Sequence, residues 1–366
     1  MKNTFGTSLS VTLFGESHGA EIGVVLDGLS PGIQIDENYI KEKLARRRPS
    51  GVISTKRIEP DNYRIVSGVF KGKTTGTPLC ILIPNTNTKS EDYDDSVFIP
   101  RPSHADYAAF CKYKGYQDFR GGGHFSGRLT SPLVAAGASV EKALEEKNIY
   151  IGTHIYRLGE LEDDKILSEK DIFSLNASSI PTLNENTWYS MKEYITQIAN
   201  DGDSVGGVLE TAIFGLPAGL GEPWFDGIES IIAKAIYGIP AIKGIEFGCG
   251  FDFSKFKGSV LNDEFYIKDD KILTYTNNNG GINGGITNGM PITFNCAVKP
   301  TPSIYKTQKS VDLKNHCNTV LEIKGRHDPA IVHRAVPVVN AVTSLCIYDI
   351  ISSSYGIDYF SGKEVF

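Results

Sequence analysis

Histidine and arginine are the side chains of this 366-residue chain best suited to acid–base work and anion binding, and they are not scattered. Of seven histidines, His18, His104, His124, His327 and His333 lie in short stretches with Gly or Arg neighbours. Of eleven arginines, eight fall in four stretches: Arg46, Arg47 and Arg48, then Arg101, then Arg120 with Arg128, then Arg326 with Arg334. A solvated surface would spread its cations and use lysine as freely. Guanidinium forks bind carboxylate and phosphate bidentately, and glycine-rich loops let backbone N–H groups approach an anion. The pattern reads as a site for a multiply anionic small molecule. His18 and His104 are the acid–base candidates, because histidine alone titrates near neutral pH without help. His154 and His316 read as structural or surface residues.

The stretch Gly15-Glu16-Ser17-His18-Gly19 has a partner at Gly202-Asp203-Ser204-Val205-Gly206. Gly28-Leu29 and Gly32 follow the first at the same offsets as Gly215-Leu216 and Gly219 follow the second. One copy carries a titratable imidazole where its twin has Val205. Gly15-x-Ser17-x-Gly19 also matches the nucleophile elbow of a serine hydrolase, which needs a sharp strand-to-helix turn. The residues after Gly19 read instead as a β-strand, so the hydrolase built on Ser17 stands as the competing enzyme class. Gly122-x4-Gly127-Arg128-Leu129 misses the Lys-Ser/Thr that a phosphate-binding P-loop demands. No histidine pair sits at helical metal-ligand spacing with a carboxylate, so no metal is expected.

These groups need elements to hold them. Asp36 is a candidate N-cap for a helix with Ile40 and Leu44 on one face, closed by Arg46–Arg48 where cations suit the helix dipole and stopped by Pro49. Strands are expected over Arg64–Phe70 and Pro78–Ile83, a short helix around Tyr107–Cys111, and a longer one from Ser131-Pro132 to about Lys147. Residues 160–186 are acidic and weakly periodic and read as a connector, with a helix over Met191–Ala199. The second half repeats the order. It has strands, a helix capped near Asp226, strands over Gly244–Gly248 and Pro291–Val298, and a proline-containing helix after Gly325–Arg334. The Asn277–Gly289 stretch is either a plain flexible loop or a line of amides along a flat cofactor. We read an internal duplication in one α+β domain of antiparallel sheets, residues 1–366, with halves near 1–150 and 200–355 and a connector near 160–190.

Composition narrows the class. With 40% hydrophobic and 22% charged residues the chain has material for a large core, and a net charge of −6 argues against nucleic-acid or anionic-membrane binding. Six cysteines without a CxxC pair suggest reduced thiols. No apolar run approaches a membrane span and no signal-peptide core is evident, so a cytoplasmic protein is expected.

Several stretches together resemble chorismate synthases. They are Gly15–Gly19, Arg46-Arg47-Arg48-Pro49, Arg101-Pro102-Ser103-His104-Ala105-Asp106, Asp118–Arg128, Gly202-Asp203-Ser204, Pro217–Pro223, Lys299-Pro300-Thr301 and Arg326-His327-Asp328-Pro329. They run in order from about Phe5 to Ile350. The resemblance implies a β-α-β sandwich with internal pseudo-twofold symmetry, a homotetramer, and a lyase of the shikimate pathway. Its reaction would be 1,4-trans elimination of phosphate from 5-enolpyruvylshikimate 3-phosphate, giving chorismate and requiring reduced FMN. By that resemblance His18 is the acid at the departing phosphate, His104 protonates reduced flavin, and Asp328 takes part in removing the substrate proton. Ser17, Ser126, His124, Phe125, Pro240, Ala241, Gly284, Lys299, Pro300, Thr301, Pro302, Ser303 and Arg326 stand where the family contacts FMN. Arg47, Arg48 and Arg128 would bind the substrate's anionic groups. NADPH is a candidate reductant, through an external flavin reductase. The chain departs from the family at His124, Phe125, Gly127 and Leu129, at Val52-Ile53, and at Asn340 where glutamate is usual. A flavin- or anion-binding homologue without turnover is the non-enzymatic alternative.

Overall fold

The computed structural model describes residues 3–49, 53–54, 60–86, 98–323 and 327–362. Two antiparallel five-stranded sheets enclose a layer of helices. The first sheet runs in the order Thr4–Phe5, Ser10–Gly15, Glu21–Asp27, Leu79–Pro84, Arg64–Ser67. The second runs Ile242–Phe247, Ile292–Val298, Gly207–Phe214, Tyr150–Leu158, Leu161–Glu162. Between them lie helices Glu37–Arg47 and Thr130–Glu145, which pack with the long helix Val332–Tyr355, and Ile228–Ile236, which packs on that same long helix. The α+β sandwich expected from the strand and turn pattern is the architecture found.

Burial explains the local sequence. Leu79–Pro84 and Ile292–Val298 alternate buried and half-buried residues, because only one face of each meets the helices. Tyr150–Leu158 is buried almost throughout, since helix Glu169–Ala177 covers its other face. Helix Val332–Tyr355 is long and apolar enough to cross a membrane by composition, yet 89% of its apolar window is buried inside the sandwich. It crosses helix Thr130–Glu145 at Gly137, where a Cβ would lie 2.4 Å from that of Ala341. Any larger side chain at 137 would push the two central helices apart.

Asp36 caps its helix as expected, accepting from Asn38 N and Tyr39 N, and the helix ends at Arg47. Two expectations need correction. Helix Ile228–Ile236 is capped at Gly227, and Asp226 belongs to a preceding 3-10 turn. The connector is more regular than its polarity suggested, with a capping-box helix at Glu169–Ala177 and a second helix starting at Glu185 rather than near Met191. Its anchor is His154, fully buried in the second sheet. His154 Nδ1 lies 3.1 Å from Asp163 Oδ2 and Nε2 2.9 Å from Glu210 Oε2. Asp163 also accepts from Leu183 N and Asn184 N, and Glu210 from Ile166 N. Burial lowers the His154 pKa, but the two carboxylates outweigh it and raise the pKa overall. Asn340 sits in the helical layer, donating to Glu141 Oε1, which also takes Lys43 Nζ at 2.7 Å.

Candidate functional site

A cavity of about 1000 Å³ opens between the two halves of the sandwich. From the first half it is bordered by Arg47, His104, His124, Phe125, Ser126 and Arg128. From the second come Pro240, Ala241, Lys299, Thr301, Pro302, Ser303 and Asp328. Segments separated by more than 200 residues therefore meet around one space. Ser17, His18, Arg48, Gly284 and Pro300 do not border it, and Arg326 lies outside the described residues. Gly284 sits in the small hairpin Ile282–Asn283/Ile286–Thr287.

The glycine run at 121–123 shapes the first wall. Gly121 has φ +59, and a Cβ there would lie 2.6 Å from His18 Nε2 and 3.1 Å from Ser17 Oγ. On Gly122 it would meet His104 Cε1 at 3.6 Å, and on Gly123 it would strike the Asp118 carbonyl at 1.8 Å. His18 and His104 thus both pack on this turn, His18 behind Gly121 and His104 at the cavity edge. Ser17 N donates to Gly123 O at 3.1 Å, and His124 Nδ1 donates to Gly15 O at 2.8 Å, so the two glycine motifs are stitched together. Ser126 Oγ caps the following turn by accepting from Arg128 N. Ser17 is fully buried between two strands rather than raised at a helix N-terminus, which removes the nucleophile-elbow geometry.

A second wall is an arginine cluster around a residue that motif spacing did not reveal. The Asp61 carboxylate has no exposed surface and takes Arg47 Nη2 at 2.8 Å on one oxygen and Arg128 Nη1 on the other. Arg48 Nε approaches at 3.8 Å, while Arg48 Nη2 donates to Pro60 O. Burial would raise the Asp61 pKa, but the two guanidiniums override it and hold the carboxyl below its ordinary range. Burial lowers the pKa of Arg47, against the pull of Asp61. Arg128 is held further by Asn85 Oδ1 at 3.0 Å and Pro84 O at 3.2 Å. Arg334, noted for its neighbourhood but given no role from sequence, joins this cluster to Asp328. Its Nε donates to Arg47 O at 3.1 Å and its Nη1 to Asp328 Oδ2 at 2.5 Å.

On the third wall Lys299 N donates to Ala241 O, and Lys299 Nζ reaches across to Ser103 O. Ser204 Oγ donates to Thr301 O at 2.7 Å, placing the second glycine motif beneath the 299–303 segment. Chemically, the arrangement offers buried cations for an anion, an imidazole and a carboxylate at the cavity edge, and apolar walls from Phe5, Val11, Leu13 and Leu133.

Comparison with known proteins agrees with this geometry. Residues 9–351 match the family model for chorismate synthase. The chain is 46% identical over 344 residues to the chorismate synthase of Pyrococcus abyssi, covering 94% of this chain and 96% of that protein. It is 44% identical to that of Thermococcus kodakarensis over the same shares. A crystal structure of a chorismate synthase superposes with a TM-score of 0.76 at 29% identity, covering 97% of this chain and 94% of that one.

Proposed function

The chain belongs to the chorismate synthase family, and on that premise we infer that it eliminates phosphate from 5-enolpyruvylshikimate 3-phosphate to give chorismate, with reduced FMN as cofactor. The observation that supports this best is the meeting of Arg47, Arg128, His104 and Asp328 around one cavity, in a chain that matches the family along residues 9–351.

The cavity suits a flavin. Thr301 Oγ1, on its wall, is buried with no hydrogen-bond partner among the described residues, and so is the Arg47 Nε donor. When bound, reduced FMN supplies electron density to the substrate ring, which the loss of phosphate requires. Thr301, Pro302, Ser303, Ala241 and Lys299 would hold it from the second half of the chain, and His124, Phe125 and Ser126 from the first, all of them bordering the cavity. Arg47 and Arg128 bind the substrate's anionic groups, offsetting negative charge where it builds up on the leaving group. His18, packed behind Gly121 and off the cavity wall, would donate a proton to that group only across that glycine turn, with Ser17 beside it. His104 would exchange a proton with a bound flavin, and Asp328, steadied by Arg334, would assist removal of the ring proton. Apolar walls would leave less room for water that competes for these charges once cofactor and substrate fill the cavity.

The reductant is taken to be external, NADPH acting through a flavin reductase. The homotetramer is carried over from the family; the hairpin Phe265–Lys268/Lys271–Thr274, which exposes Phe265, Ile267 and Ile272, two of them directly opposed, offers an apolar surface for contact between copies. We also read the halves as a duplication. Leaving aside the two-stranded hairpins, the two-residue strands, the 3-10 turns, the connector after Leu158 and the helices Asp106–Tyr113 and Gly258–Leu261, each runs strand, strand, helix, strand, strand, helix: from Ser10–Gly15 to Thr130–Glu145 in the first and from Tyr150–Leu158 to Val332–Tyr355 in the second. Gly28 and Gly215 each have positive φ and lie where a Cβ would be 1.9 Å from the carbonyl just before the first long strand of its sheet, Ser8 O and Asn148 O.

The deciding assay is anaerobic. Chemically reduced FMN and the enolpyruvyl substrate should yield phosphate and chorismate in equal amounts. Flavin binding without turnover would instead establish a binding homologue. NADPH with oxidised FMN should give no turnover until a flavin reductase is added.

A further inference from the structure

An imidazole presents two nitrogens, and what one of them faces decides the chemistry of the other. In His104, Nδ1 lies 2.5 Å from Asp106 Oδ1 and 3.1 Å from Arg101 Nη2. A carboxylate oxygen only accepts and a guanidinium only donates, so these neighbours make opposite demands on Nδ1. The shorter contact prevails so long as Asp106 is ionised. Partial burial would raise its pKa, yet bonds from Arg101 and His104 outweigh that and hold the carboxyl far below the usual range. Arg101 supplies three of them, from its backbone N at 3.0 Å, Nε at 2.7 Å and Nη2 at 2.8 Å.

Besides the Arg101 N–Asp106 bond, the surrounding turn is fastened at three points that do not involve Asp106. Lys299 Nζ donates to Ser103 O, Ser310 Oγ to Pro100 O at 2.6 Å, and Leu313 N to Phe98 O at 2.8 Å. The second half of the chain therefore clamps the backbone that carries His104. Asp106 adds its bonds to Arg101 and the proton position on the ring, and an asparagine there keeps an oxygen to accept from Arg101 N. With the proton on Nδ1, Nε2 is left to face the glycine turn, where a Cβ on Gly122 would come within 3.8 Å of it.

We propose that Asp106 is a positioning residue that holds His104 in its Nδ1–H tautomer, leaving Nε2 as the atom that exchanges a proton with the bound flavin. The catalytic half of this rests on the role given to His104 above; the tautomer does not. In Asp106→Asn the carboxylate is gone while Arg101 remains within reach, so Arg101 should donate to Nδ1 and the ring proton should move to Nε2.

Two measurements test this on the full chain. Histidine-selective ¹⁵N NMR, with His104 assigned by difference from His104→Gln, should report Nδ1–H in the wild type and Nε2–H in Asp106→Asn. In the anaerobic assay Asp106→Asn should lose about 10- to 10,000-fold in kcat, the upper end being the wrong-tautomer effect seen when a triad aspartate is replaced, with substrate KM within about threefold. The same change made in a His104→Ala background should cost nothing further, and Asp106→Glu should recover part of the loss. Losses that add in the double variant, or a tautomer that does not move, overturn the role of Asp106. Full turnover by His104→Ala refutes the assignment of His104 itself and with it the catalytic half of the proposal.

Discussion

Replacing Asp61 by asparagine keeps the shape of the side chain and removes the charge that two buried guanidiniums share. Arg47 and Arg128 each expose only 5% of their side chains, and Asp61 none. Breaking a buried pair from one side leaves an uncompensated charge, typically a loss of about 3–5 kcal/mol. With an unfolding entropy of about 2.1 cal/mol/K per residue over 366 residues, that loss lowers Tm by about 4–6 °C. The arginines border the cavity, so an added dianion can take the place of the missing carboxylate. Inorganic phosphate at about 100 times its Kd would return about 2.7 kcal/mol, most of the deficit. Thermal unfolding of both proteins, titrated with phosphate and with chloride at matched ionic strength, reads the effect. Phosphate should raise the Tm of Asp61→Asn by more than that of the wild type, whose Asp61 competes for the same guanidiniums. A Tm loss under about 1 °C, or an equal phosphate response in both proteins, refutes the view of Asp61 as the internal counter-ion of the anion site.

Three further outcomes are expected. His18→Ala should lower kcat by about 10- to 10,000-fold, the range of a lost general acid, and a loss under about threefold would take His18 out of the reaction. Gly121→Ala must fit a Cβ 2.6 Å from His18 Nε2 at φ +59. It should cost about 1–2 kcal/mol in denaturant unfolding from the backbone alone and displace His18, lowering kcat while the Asp61 cluster keeps its phosphate response. For His154, whose pKa is raised in the fold, the charged form contributes stability that is complete below the unfolded pKa of about 6.5 and is lost as pH rises through the folded value. Tm should therefore fall as pH climbs above about 6.5, and that slope should flatten in His154→Gln; an unchanged slope would remove His154 as its source.

Much of the fold was legible because its signals are local. Asp36 before an amphipathic run, Pro49 after three arginines, and Gly or Pro beside many strand ends say where elements start and stop whatever packs on them. The connector was harder to read. Glu169–Ala177 buries only Ile172 and Leu175, so its apolar stripe is too thin to stand out from polar neighbours. Its order comes from His154, which lies in another element. Asp226 misled because an acid near a helix start looks like a cap, while the chain supplied Gly227.

The sequence by itself determined which groups could do chemistry. Arginine and histidine concentrate beside glycine, and the order of those stretches along the chain identifies the family. Tertiary structure alone decided how they are used. It set Asp61 between Arg47 and Arg128, ran Arg334 from Arg47 to Asp328, put His18 behind Gly121 while His104 reached the cavity edge, and kept Gly284 away from the cavity. The physical reason is that residue type and spacing report backbone preference and side-chain chemistry, whereas charge pairing depends on which distant segments share a buried space. A carboxylate is ordinary in sequence. Enclosed with two guanidiniums it becomes their counter-ion at the border of the cavity.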